Sequence, residues 1–152
     1  MKGRRESRKL AVDALYEGEI RGRLPVATFE IQRAEGRVRP GSDDDAGATL
    51  DEASTEVVSY ARGLVEGVQE HHAEIDALIS RYTDRWAIDR MPVIDRTVIR
   101  IAIFELLWVE DVPVAVAINE AVELVKSLST DDSGRFVNGL LGRIVETERA
   151  SG

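Results

Sequence analysis

The sequence predicts an all-α fold of about seven helices, and three observations predict it. Apolar residues recur at three- and four-residue spacings through most of the 152 residues. The four prolines, Pro25, Pro40, Pro92 and Pro113, fall between those runs as punctuation. No segment alternates apolar and polar residues as a half-buried strand would, and no internal repeat appears.

Each element follows from that pattern. From Arg5 to about Ile20, Leu10/Ala14 and Ala11/Leu15 recur every four residues, as on one side of an amphipathic helix. Pro25 suits the first turn of a second, shorter helix that carries Val26 and Phe29. The glycines, Pro40 and the aspartates of residues 36–49 cannot bury a face, so a mobile surface loop is expected there. A third helix begins near Leu50 or is capped by Ser54 or Thr55, with Val57, Ala61, Leu64, Val65 and Val68 on its apolar side. After a break near His71-His72, Ile75, Leu78, Ile79 and Tyr82 continue helical spacing. Trp86 and Ile88 belong to a linker that ends at Met91-Pro92.

The second half is more regular. Ile94, Val98, Ala102 and Leu106, with Ile101 beside them, form one apolar face between Val93 and Trp108, and Asp111-Val112-Pro113 stops that helix. Ala115 to Leu128 forms the next, with Ile118, Ala121, Leu124 and Val125 inward. Residues 129–134 form a turn in which Asp132 or Ser133 is expected to be the N-cap. Phe136, Val137, Leu140, Leu141 and Ile144 define the last helix.

Bulk composition excludes several classes. The length fits one domain, or two small subdomains sharing a core. With no cysteine there is no disulfide, thiolate metal site or Cys nucleophile, in keeping with a reducing cytoplasm. The longest apolar-rich stretch, Ile99 to Val109, is interrupted by Arg100 and Glu105 and falls short of the roughly 18–20 residues that span a bilayer. Asp13, Glu17 and Glu19 follow the basic start, where a secretory leader would be apolar.

Charge is unevenly placed. Lys2, Arg4, Arg5, Arg8 and Lys9 oppose only Glu6, so residues 1–9 carry +4; the chain is −8, which leaves −12 on residues 10–152. An acidic body is a poor general polyanion binder, so any nucleic-acid contact is expected to be local and to involve this arm. Arg5, Arg8 and Lys9 lie three and four residues apart, and Tyr16 follows Lys9 by two turns on the same side. Guanidinium forks suit phosphate, and a tyrosine ring stacks on an unpaired base, a pairing better matched to single-stranded RNA than to duplex DNA. A second constellation runs from Asp131 to Gly139, where a turn, a helix start, Asp132, Ser133, Arg135, Phe136 and Asn138 occur together. Backbone N–H groups at such a helix start suit an oxyanion or a base edge, while the local aspartates favour contact with bases or sugars over phosphate.

Other polar groups carry blander readings. His71 and His72 are adjacent, not the i, i+4 pair that chelates a metal, and fit a surface helix end. Glu120, Glu123 and Lys126 fit a solvated face on which Lys126 pairs with Glu123. Gly63 and Gly67 fit close helix packing. No P-loop or dinucleotide fingerprint is present.

Several segments together resemble the NusB family of bacterial transcription antitermination factors. They are Arg8 with Ala11–Tyr16, Ile94–Leu106, Val112–Leu124, and Lys126-Ser127 followed by Arg135–Leu141. The resemblance covers nearly the whole chain and is poorest at residues 36–49. It implies a single all-helical RNA-binding domain over residues 1–152, built as two small packed helix bundles and lacking enzymatic activity, metal or cofactor. It implies boxA-type RNA and NusE as partners, and the RNA polymerase elongation complex through other Nus factors. By resemblance Lys2, Arg4, Arg5, Arg8, Lys9, Tyr16, Asp132, Ser133, Arg135, Phe136 and Asn138 fall at RNA-facing positions, and the helix carrying Asp95, Arg96, Arg100 and Glu105 faces NusE. Asn119 and Glu120 are expected to satisfy buried polar groups between helices. Glu6 in the short arm and the acids Asp43–Asp45 weaken RNA binding by the protein alone, so a partner is expected to supply part of the RNA surface. Some members of the family self-associate, and a homodimer is compatible with the sequence. Two alternatives resemble it less: an accessory module like those preceding the catalytic part of ribosomal-RNA methyltransferases, and a helical scaffold that binds protein only.

Overall fold

Every described run of helical spacing becomes a helix in the computed structural model, which describes residues 3–38, 52–83 and 88–149. Seven α-helices occur among them: α1 (Arg4–Arg21), α2 (Pro25–Ala34), α3 (Glu52–Glu70), α4 (His72–Tyr82), α5 (Val93–Trp108), α6 (Val114–Leu128) and α7 (Asp131–Ile144). A 3-10 turn (Ile88–Arg90) precedes α5, and a π-helical turn (Val145–Arg149) follows α7. Lys2, most of the 36–49 loop with Asp43–Asp45, and Trp86 lie outside the described residues.

The chain divides into two compact units, residues 1–69 and 70–152. In the first, α1 ends at Gly22, whose positive φ of 67° is the left-handed stop that glycine adopts without cost. Pro25 then occupies the first turn of α2. The two helices approach closely where Gly18 faces Arg23 O and Thr28 Oγ1; a Cβ at Gly18 would lie 2.9 Å and 3.0 Å from them. Ser7 Oγ donates to Val57 O at 2.7 Å, tying α1 to α3, and Val26 N donates to Gln69 Oε1 at 2.9 Å, tying α2 to α3. Phe29, Ala11, Leu15, Leu64 and Val65 are buried, as the spacing predicts. Gly63 is a correction: it is exposed and a Cβ there would meet nothing, so it serves no close packing.

The second unit is a bundle in which α5 is touched by α4, α6 and α7, while α6 and α7 pack along each other. That central place buries α5 on most sides. The sequence suggests a single apolar face, yet Asp95, Thr97 and Glu105 are also buried, and Ile94 is only partly so. On α6 the inward residues are Ala117, Ala121, Leu124 and Val125; Ile118 is half-buried. Arg100 clamps α4 with a two-pronged bond to Asp76 (Nε to Oδ1 2.9 Å, Nη2 to Oδ2 3.0 Å). Arg96 Nη1 donates to the carbonyls of Ile88, Asp89 and Met91 at 3.1–3.3 Å, holding the 3-10 turn against the start of α5. Tyr82 Oη and Arg81 both donate to Glu148, closing the end of α4 on the last turn.

Candidate functional site

The start of α7 is built around its cap. Thr130, extended at φ −135° and ψ 165°, accepts a hydrogen bond from Ser133 N at 3.0 Å and is the N-cap. The expected N-cap at Asp132 or Ser133 is therefore wrong by two or three residues. A hydroxyl in extended backbone reaches N3, and Asp131 and Asp132 then fall in the first turn, where the helix dipole favours acids. Ser133 has a second task. Its Oγ accepts from Thr130 Oγ1 at 3.1 Å and donates to Asp95 Oδ2 at 2.6 Å, a buried bond that ties the turn to α5.

Beyond this tie α7 turns polar side chains outward. Arg135, Asn138 and Asp132 are exposed, and Phe136 is only half-buried, which removes it from the core. Arg135 is ion-paired with Asp132 one turn back. Ser133 is buried and holds the turn instead of facing a ligand. Between α6 and α7 lies a cleft of about 330 Å³ lined by Val122, Lys126, Asp131, Gly134, Arg135 and Asn138.

The basic arm is divided by the fold. Arg5 and Lys9 are exposed, and Tyr16, at 39% exposure, shares their side of α1 by spacing. Arg8 does not: it is buried, at 4% exposure, and corrects the reading of Arg5, Arg8 and Lys9 as one exposed row. Arg4 lies with its guanidinium 4.4 Å from the Tyr60 ring centroid, a cation–π contact within the unit. Nearby, the Arg37 guanidinium bonded to Glu17 at 2.7 Å holds that carboxyl below the usual range.

The residues read as NusE-facing are mostly internal. Asp95 and Glu105 are each 1% exposed and present nothing to a partner. Arg96 and Arg100 are half-buried and engaged, one with backbone carbonyls and the other with Asp76. Asn119 is exposed and satisfies no buried group. His71 is no bare surface end either: its ring stacks on Trp108 at 4.1 Å between centroids, while His72 pairs with Asp76. No group of three or more acidic or histidine side chains among the described residues could hold a metal ion, and no described helix is long and apolar enough to cross a membrane.

Sequence reasoning missed Thr130 as the cap and Lys126 as part of the cleft. The signal for Thr130 was a capping hydroxyl directly before Asp131-Asp132, acids that suit a helix's first turn. The signal for Lys126 was slighter, a glycine at 134 inside a helix start.

Comparison with known proteins decides the family. The family model described as the NusB family matches residues 5–146. The chain belongs to the NusB family. A relative from Salinispora tropica, described as transcription antitermination protein NusB, is 47% identical over 148 residues, covering 96% of this chain and 97% of its own length. The solved structure of T. maritima NusB superposes with a TM-score of 0.77 at 35% identity, over 95% of this chain and 91% of that one. A crystal structure of antitermination factors NusB and NusE in complex with dsRNA gives a TM-score of 0.76 at 27% identity, over 96% and 98%. Among the described residues every regular element is helical, as the sequence predicts.

Proposed function

We propose that this NusB-family chain is a non-enzymatic, cytoplasmic transcription antitermination factor that binds boxA-type RNA together with NusE and reaches the RNA polymerase elongation complex through other Nus factors. The observation that carries the RNA reading is Phe136, an aromatic ring left half-exposed one turn into α7 with exposed Arg135 and Asn138 beside it. A ring in that setting stacks on a base, an amide reads a base edge, and neither depends on phosphate. Exposed Arg5, Lys9 and Tyr16 supply a second, more electrostatic set of contacts. Lys2 belongs to the same arm by sequence. Asp132 acts by orienting Arg135, and Ser133 by fixing the turn. The relatives support the reading: they are described as antitermination proteins, and one is solved with NusE and dsRNA.

The NusE contact is assigned to the second unit without its buried acids, because Asp95 and Glu105 are each 1% exposed. The test is binding of boxA RNA, a scrambled single strand and a duplex, with and without NusE, across a salt series. Preference for boxA that strengthens with NusE is expected. Equal affinity for all three RNAs under every condition would sink the proposal. Light scattering of the free chain distinguishes a monomer from a self-associated form.

A further inference from the structure

We infer that Lys126 contacts an RNA backbone phosphate at the α6–α7 cleft, and that Gly134 is the seat that positions it; the inference rests on the RNA-binding reading above. Sequence spacing offered Glu123 as the partner of Lys126, one turn back on α6. That pair does not form, and among the described residues Lys126, which is exposed, has no ion pair. The other cation lining the cleft, Arg135, already has a surface ion pair with Asp132. Lys126 is thus the uncommitted positive charge of this cleft.

Its stem is nevertheless placed. A Cβ at position 134 would lie 2.7 Å from Lys126 Cγ and 3.1 Å from Cδ, too close for the stem to stay where it is. The bare backbone of Gly134, buried on α7, is what lets the methylenes lie across from α6. A stem lying on apolar surface with its ammonium free keeps the charge in water and loses less freedom when a ligand arrives. Asp131 in the same cleft repels a phosphate seated deeply, so one contact at the ammonium is expected, not a phosphate enclosed by the cleft. An ammonium acts there as a compact point charge without the planar preference of a guanidinium. The contact therefore adds affinity and salt dependence, while Phe136 and Asn138 keep the base preference.

The experiment measures boxA RNA binding by the full chain with NusE over a salt series, for wild type, Lys126→Met, Gly134→Ala and the double variant. Lys126→Met is expected to flatten the slope of log affinity against log salt by about 0.7, the value for one single-strand phosphate contact, or about five-fold in affinity per decade of salt. Gly134→Ala, which removes no charge, is expected to lower affinity in the wild-type background and to add nothing once Lys126 is gone. An unchanged slope in Lys126→Met overturns the inference, and so does a Gly134→Ala loss of equal size in both backgrounds. If Gly134→Ala fails to fold, the slope of Lys126→Met decides alone. Loss of boxA preference in the wild type overturns the parent reading as well, so the two failures are distinguishable.

Discussion

At the start of α1 the sequence places a dense row of cations, and the fold uses some of them itself: Arg8 is buried, and Arg4 lies over Tyr60. At the start of α7 the sequence is acidic, and the fold does the reverse. It pairs Asp132 with Arg135 and leaves Lys126 of the neighbouring helix unpaired beside the cleft. The cation-rich region therefore offers less free charge than its composition implies, and the acid-rich region offers more. Counting charges along a chain does not count the charges available to a polyanion, because burial and pairing decide which remain free.

The comparison is broken most directly at the tie beneath α7. Asp95→Ala leaves the buried Ser133 hydroxyl without its acceptor. A loss of about 1–3 kcal/mol in urea unfolding is expected, the range for leaving a buried polar group unsatisfied. Asp95→Asn keeps an acceptor oxygen and should recover much of that loss; if both variants are as stable as wild type, the turn does not depend on this bond.

Phe136→Ala separates base reading from charge. It is expected to cost roughly 1–3 kcal/mol in boxA affinity with little change in salt slope, as loss of one stacked base would. A loss that comes with a lower urea-unfolding midpoint would instead assign Phe136 to packing.

Two adjacent cations of the arm, Lys9 and Arg8, sharpen the contrast within α1. Lys9→Ala should leave stability within about 0.5 kcal/mol, as expected for an exposed position. It should also flatten the salt slope by roughly 0.7. Arg8→Ala should do the opposite, lowering the unfolding midpoint while the slope of the folded protein stays nearly constant. Matching behaviour of the two variants would erase the distinction drawn between buried and exposed members.

The smallest effect concerns Arg37, a further cation spent on pairing. Because the folded Glu17 carboxyl titrates below its unfolded counterpart, the pair stabilises above the unfolded value, and that contribution is lost as pH falls through the folded one. Arg37→Ala is expected to return the Glu17 midpoint upward toward the ordinary carboxylate range in a carboxyl-carbon NMR titration. A midpoint that stays low would assign the shift to another group.

Helix existence was legible because periodicity and punctuation are local. The run from Val93 to Trp108 and the proline starting α2 are read from a few neighbouring residues, and the structure keeps both. Site chemistry was legible only in part. Phe136, Asn138, Arg5, Lys9 and Tyr16 stay accessible, whereas Arg8, Asp95, Ser133 and Glu105 are buried. Nothing in a charged residue's identity tells whether a neighbouring helix will cover it.

By itself the sequence determined the all-α class, the helix order, the family and the regions where polar chemistry gathers, since these depend on spacing and short-range backbone preference. Tertiary structure alone decided that Thr130 caps α7, that Asp95 is a buried tie to Ser133 and that Lys126 lies across Gly134 instead of pairing with Glu123. Each of those outcomes is set by atoms that meet across turns or between helices, where close packing decides which polar groups are paired and which remain exposed.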